Sequence, residues 1–196
     1  MHFRVITRFI GILTIFLGIS MAGPLLVSVM YKDNSTWALL LSALITSSVG
    51  LILLISTRNQ EDNHLSHRDG VTVVTLGWIM AGLFGTLPYL FSGAIPSFTN
   101  AYFESISGFT TTGATIFTDI ESLPEGILLW RSLTQWFGGM GIIVLSIAIL
   151  PFLGVGGMQL YRAETPSPVV DKLKPRISET AKTLWKVYLV ITLLEV

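Results

Sequence analysis

The sequence predicts an all-α membrane protein: two leading transmembrane helices, then a helix, a re-entrant pore helix, a filter-like loop and a long helix, then the start of a second such repeat. Three observations carry that prediction. Of the 196 residues, 51% are hydrophobic and only 12% charged, with a mean hydropathy of +0.68, which places the chain in lipid. Charge-free stretches long enough to cross a bilayer recur along it. Phe109-Thr110-Thr111-Thr112-Gly113-Ala114-Thr115 closes a threonine run with a glycine, between a short apolar segment and a longer one.

The first span covers roughly residues 5–29, behind Arg4 and Arg8 and ahead of Lys32 and Asp33, with a kink expected at Pro24. Ser20-Met21-Ala22 after a basic start also reads as a signal-peptide cleavage site. The apolar run continues through Leu25, Leu26, Val27 and Val29, which suits a retained helix better. A second span over residues 36–57 carries no charge, and the polar stretch 58–70 after it reads as a loop. His64 and His67 in that loop lack an organised set of further metal ligands. These elements make a first domain, residues 1–69.

A pore repeat is predicted over residues 70–152. Its first helix, 71–91, begins after Asp69-Gly70, and no charge occurs from Val71 until Glu104. Leu87-Pro88 and Ile95-Pro96 break that stretch, since proline removes a backbone donor and restrains its neighbour. The segment 98–109 is too short to cross as a helix and ends at the threonines, so it reads as a pore helix followed by a filter at 110–114. A helix over 127–150 completes the repeat. Gly138-Gly139-Met140-Gly141 in its middle fits either close helix packing or a gating hinge. Residues 153–174 form a connector, and 175–196 begin a second repeat that stops inside an apolar run.

The chemistry of the threonine run follows from what a dehydrated cation needs, a set of oxygens at fixed spacing to replace its lost water. Thr110, Thr111 and Thr112 supply carbonyls and hydroxyls. Three β-branched residues in a row favour extended backbone, and Gly113 permits the unusual dihedrals that turn successive carbonyls toward one axis. A bare Thr-Thr-Thr-Gly string also fits an ordinary helix end and turn. Context favours the filter, because a segment that enters half of the membrane and leaves as non-helical backbone is tolerated only where protein buries it or water fills a cavity. Asp119, Glu121 and Glu125 follow with no basic residue before Arg131. They suit an acidic rim that concentrates cations or an unremarkable solvated loop. Glu104 and Arg131 lie near the apolar layers, where an unpaired charge is costly. They support the pore wall as a pair, or else Arg131 snorkels and Glu104 reaches water.

Composition and residue types also exclude functions. Net charge is zero, so no nucleic acid is implied. With no cysteine, thiolate metal sites and cysteine nucleophiles are excluded together. The helices hold no acid–base or nucleophile constellation, so the chain reads as no enzyme and binds no organic cofactor. Arg4, Arg8, Arg58, Arg68, Arg162, Lys172, Lys174, Arg176, Lys182 and Lys186 fall on one side of the predicted spans, leaving Lys32 and Arg131 for the other. The positive-inside rule then puts the amino terminus in the cytoplasm and the filter mouth outside.

The segment Glu104–Thr115, together with Trp130-Arg131-Ser132-Leu133-Thr134-Gln135-Trp136-Phe137-Gly138-Gly139-Met140-Gly141 and Gly154-Val155-Gly156-Gly157-Met158-Gln159-Leu160-Tyr161-Arg162-Ala163-Glu164, resembles the TrkH family of Trk-type potassium uptake proteins, within the Trk/Ktr/HKT superfamily. The resemblance covers the whole chain. It implies a multi-pass protein of the bacterial inner membrane that takes up potassium through a pore built from four unequal helix–loop–helix repeats of potassium-channel type. It places the filter carbonyls on Thr110, Thr111, Thr112 and Gly113, with Thr111 and Thr112 as potassium ligands and Glu104 and Arg131 as pore support. It also implies a homodimer of the full-length protein and a cytoplasmic nucleotide-binding regulatory subunit, TrkA. Against the potassium-channel pattern Thr-Val-Gly-Tyr-Gly, Ala114 replaces the tyrosine and Thr115 the second glycine, so a simpler and less selective filter is expected. Coupling to a proton or sodium gradient stays open. The chain reads as an amino-terminal portion of a longer transporter. A membrane adaptor that binds a soluble partner through the basic stretch 171–186 is the alternative, although that stretch also satisfies the positive-inside rule and nothing more.

Overall fold

The computed structural model describes residues 3–57, 67–149 and 173–195, and all secondary structure among them is helical. The order is α1 (Phe3–Ser20), α2 (Ala22–Tyr31), α3 (Thr36–Ile55), α4 (His67–Gly85), α5 (Leu87–Phe91), α6 (Phe98–Phe109), α7 (Glu125–Ile149) and α8 (Leu173–Glu195). Three stretches are long and apolar enough to cross a membrane: Phe3–Tyr31, Thr36–Ile55 and Arg68–Phe91.

Pro24 places the break in the first of these. It has no N–H to give the Ser20 carbonyl, and its ring crowds that carbonyl, so α1 stops at Ser20, one turn upstream of the proline itself. Met21 bridges the two pieces and is fully buried. The stretch 67–70, expected to be loop, is instead the first turn of α4, with Asp69 near the amino-terminal end that favours a negative charge. His64 and the connector up to residue 172 lie outside the described residues. The helix expected over 71–91 is two helices, because Pro88 cannot donate to the preceding turn and the chain re-starts at Leu87.

The chain forms two compact units, residues 1–136 and 137–196. In the first, α1 packs against α3 and α4, α3 against α5, and α4 against α6. Its outer surface is apolar, and hydroxyls are buried among its apolar core. Thr14, Ser42 and Thr46 are buried, and the Thr14 and Ser42 hydroxyls donate one turn back to Ile10 and Ala38. Ile12, Phe16, Leu41, Leu44, Ile52 and Ile55 point outward. Lipid tails are as apolar as these side chains, so small and polar residues share the inter-helix packing with the buried Ile6, Ile10, Leu17 and Leu39. An added Cβ at Gly50 would stand 2.8 Å from the Ile15 nitrogen, and one at Gly18 would stand 2.8 Å from that of Ser47. The α1 and α3 backbones approach this closely only because glycine sits there. In the second unit α7 continues through Gly138–Gly141 without interruption. A Cβ at Gly139 would fall 2.7 Å from the Tyr188 hydroxyl, which favours packing over a hinge at that glycine.

Candidate functional site

The loop after α6 is assembled from three helices. Gly82 and Gly85 on α4 leave room for Ile106, Ser105 and Phe109 of α6. A Cβ at Gly85 would meet Ser105 Oγ at 2.5 Å and Phe109 at 2.6 Å. On the other side Gly108 accommodates Thr134 of α7, whose Cβ would lie 3.0 Å from a methyl added there. The Trp130 indole N–H donates to the Gly85 carbonyl at 3.0 Å and its ring meets Phe109 edge-on at 6.4 Å, so α4, α6 and α7 lock on buried aromatic surface.

The helix ends at the threonines in a Schellman arrangement. Thr112 N–H donates to the Ser107 carbonyl at 3.0 Å and Thr111 N–H to Gly108 at 2.9 Å. The left-handed position of that motif normally belongs to glycine, yet here it is Thr111, at φ +55°. For a β-branched residue this is a genuine outlier. The threonine run is therefore not the extended strand expected from its branching. Thr110 still closes a helical turn at φ −85°, ψ 0°, Thr111 is left-handed, and Gly113 is left-handed again at φ +75°. Helical hydrogen bonding of the first amides overrides the local preference for extended backbone. The Thr110 hydroxyl donates to Ile106 O at 2.8 Å and lies 2.7 Å from that of Thr112. Thr110–Gly113 are all exposed.

The return of the loop is strapped to α6 from beneath. Ser107 Oγ donates to the Ala114 carbonyl at 2.5 Å. Glu104, 2% exposed, accepts from Thr115 Oγ1 at 3.0 Å on both carboxylate oxygens and from the Ile116 amide at 3.1 Å. Arg131 Nε completes this set at 2.8 Å from Glu104 Oε1, with its side chain 14% exposed. Glu104 and Arg131 are thus brought together, with the Glu104 carboxylate almost wholly buried. A carboxylate has about four acceptor positions, and this one uses them on a guanidinium, a hydroxyl and a backbone amide. Asp119, Glu121 and Glu125 are exposed, and among the described residues no group of three or more acidic or histidine side chains is arranged to hold a metal.

Sequence reasoning missed a second polar centre. Asp33, in the turn between α2 and α3, accepts at Oδ1 from the Ser28 hydroxyl, from Ser35 N–H at 2.9 Å and from Ser35 Oγ at 2.7 Å. Its Oδ2 accepts from Gly126 N–H at 2.8 Å, 93 residues away. Burial alone raises its pKa, but the hydrogen bonds from Gly126, Ser28 and Ser35 outweigh that and hold it below the ordinary 3.8. The local signal was the Lys32-Asp33-Asn34-Ser35 turn, which says nothing about a partner so far along the chain.

Residues 37–196 match the family model TrkH, described as a cation transport protein. The chain belongs to the TrkH family. Its relatives in that family include the Trk system potassium uptake protein TrkH of Salmonella typhimurium, 50% identical over 194 residues, covering 98% of this chain and 40% of that protein. The TrkH of Halomonas elongata is 47% identical with the same coverage, and Escherichia coli TrkG is 37% identical, covering 95% of this chain and 39% of the relative. The crystal structure of the potassium transporter TrkH from Vibrio parahaemolyticus superposes with a TM-score of 0.82 at 39% identity, covering 99% of this chain and 38% of that one. The chain thus spans about 40% of the length of its TrkH relatives, all of them named as transport proteins rather than enzymes.

Proposed function

We propose that this chain supplies one repeat of a potassium-uptake pore, with Thr110, Thr111, Thr112 and Gly113 forming one of the filter walls. The observation that carries this reading is the alternation of φ along the loop. It is negative at Thr110, positive at Thr111, negative at Thr112 and positive again at Gly113. These turns keep the amides of Thr110, Thr111 and Thr112 on the α6 carbonyls of Ile106, Gly108 and Ser107, and among the described residues no backbone N–H donates to the carbonyls of Thr110–Gly113. A row of carbonyls at fixed spacing can replace the hydration shell of a potassium ion. The Glu104 strap supports the same reading, since a filter needs a rigid wall and Thr115 and Ile116 are held to the pore helix.

In this reading α4, α6, the loop and α7 form the pore repeat (residues 70–152), α1 to α3 are leading helices (1–69), 153–174 connect, and α8 opens the next repeat (175–196). Thr111 and Thr112 contribute potassium ligands, and Glu104 and Arg131 hold the wall. The full-length protein is a homodimer in the inner membrane, amino terminus in the cytoplasm, regulated by TrkA. A single loop offers oxygens on one side of an ion only, so this chain alone does not conduct.

Potassium uptake in cells lacking their own uptake systems tests the reading, with the full-length gene compared with its Gly113→Asp variant. Asp cannot adopt φ +75° without strain and puts a charge at the ion path, so uptake is lost while the protein stays in the membrane. Normal uptake by Gly113→Asp would displace the filter and favour an adaptor role for the chain.

A further inference from the structure

The polar joint between the leading helices and α7 does something the filter reading does not explain. We infer that Asp33 is a positioning residue for the ion-binding loop, acting from outside the pore repeat by fixing the start of α7; the inference rests on the filter assignment proposed above.

The joint is built to fix a distance. Lys32 takes the left-handed position at the end of α2, at φ +54°, with its N–H on Val29 O and that of Asp33 on Ser28 O. This sharp ending leaves the Asp33 carboxylate on the Ser28 hydroxyl in the last turn of α2 while it reaches the amino-terminal ends of α3 and α7, where free N–H groups favour a negative charge. It takes the Ser35 amide from one and the Gly126 amide from the other. Ser28 and Ser35 are fully buried, and a Cβ at Gly126 would meet Ser35 Oγ at 2.6 Å and both Leu39 Cδ1 and Ser28 Cβ at 2.8 Å. Glycine is required there for α7 to come this close.

What the joint fixes is read five residues later. Arg131 lies about 7.5 Å further along the same helix, and its guanidinium meets the Glu104 carboxylate that straps Thr115 and Ile116. Trp130 and Ile127 hold α7 sideways through buried contacts. The Asp33 bond holds its end, and therefore its setting along the axis. A shift of α7 by a few tenths of an ångström moves Arg131 against Glu104 and loosens the return of the loop, with no residue of the loop changed.

The test uses the full-length protein in cells without other potassium uptake. Asp33→Ala, Asp33→Asn and Gly126→Ala are compared for apparent KM, for inhibition by sodium and for amount in the membrane, with Gly113→Asp as control. Loss of a charge-assisted hydrogen bond predicts an apparent KM raised about tenfold in Asp33→Ala and less in Asp33→Asn. Weaker discrimination against sodium should accompany it in both, and Gly126→Ala should behave alike because it pushes the same joint from the opposite side. Unchanged KM and discrimination overturn the inference, including the case where only the amount of protein falls. Loss of all three variants from the membrane would also overturn it, since the joint would then serve folding alone. If Gly113→Asp itself transports normally, the filter assignment has failed instead.

Discussion

Thr111 holds a conformation that costs a β-branched residue about 1–2 kcal/mol, in a Schellman position where glycine would cost nothing. Thr111→Gly removes that strain and adds a comparable loss of backbone entropy on folding. The variant should therefore keep its thermal stability in detergent within about 1 kcal/mol, while its looser loop discriminates less sharply between potassium and sodium. A large fall in melting temperature would show that the threonine side chain stabilises the loop in another way. Glu104 makes a sharper case. Removing either partner of a buried ion pair typically costs about 3–5 kcal/mol, so Glu104→Ala and Arg131→Ala should both lower protein levels in the membrane. The exchange Glu104→Arg with Arg131→Glu should not restore uptake. It pairs the charges again but sets guanidinium donors against the Ile116 N–H, which needs an acceptor. Recovery of uptake by the exchange would reduce the role of Glu104 to charge alone.

Helix packing is where small residues decide the outcome. α1 and α3 meet over Gly11, Gly18 and Gly50, with backbone atoms close to where a Cβ would be. Gly18→Val or Gly50→Val forces the two helices apart, and loss of the folded protein from the membrane is expected, as read by the amount that stays soluble and monodisperse in mild detergent. The joint at Asp33 gives a pH signature. Its pKa is lowered in the folded protein, so the stabilisation is fully present above the unfolded value of about 3.8 and is lost as pH falls through the still lower folded value. The difference in melting temperature between the parent and Asp33→Asn should hold steady from about pH 8 to about pH 5, and close only below about 3.8. A difference that already shrinks near neutrality would mean that another group controls the joint.

For the molecule as a whole, an apolar exterior and an exposed loop belong together. Outward Ile, Leu and Phe side chains on α1 and α3 match a hydrocarbon surround, whereas Thr110–Gly113 are exposed non-helical backbone. Such backbone is tolerated at membrane depth only against protein or a water-filled cavity. The chain spans about 40% of its relatives' length, and in the proposed pore the opposing walls come from outside residues 1–196. Expressed alone, it should insert and yet take up no potassium. Uptake by the chain alone would require several copies to assemble a ring.

Membrane class, the α6 segment and the threonine loop were legible in the sequence because each follows from short-range chemistry: hydropathy over a span, proline as a breaker, a glycine that closes a threonine run. Glu104 and Arg131 were legible as costly charges, which says that they need partners without saying which. Tertiary structure decided the rest. It set the helices α4, α6 and α7 against one another around the loop, whereas the left-handed Thr111 comes from local helix-end bonds to Ser107 and Gly108 that outweigh the preference of a branched side chain. It also brought Gly126 to Asp33 across 93 residues. No local pattern encodes a contact made by packing three separate helices on one another.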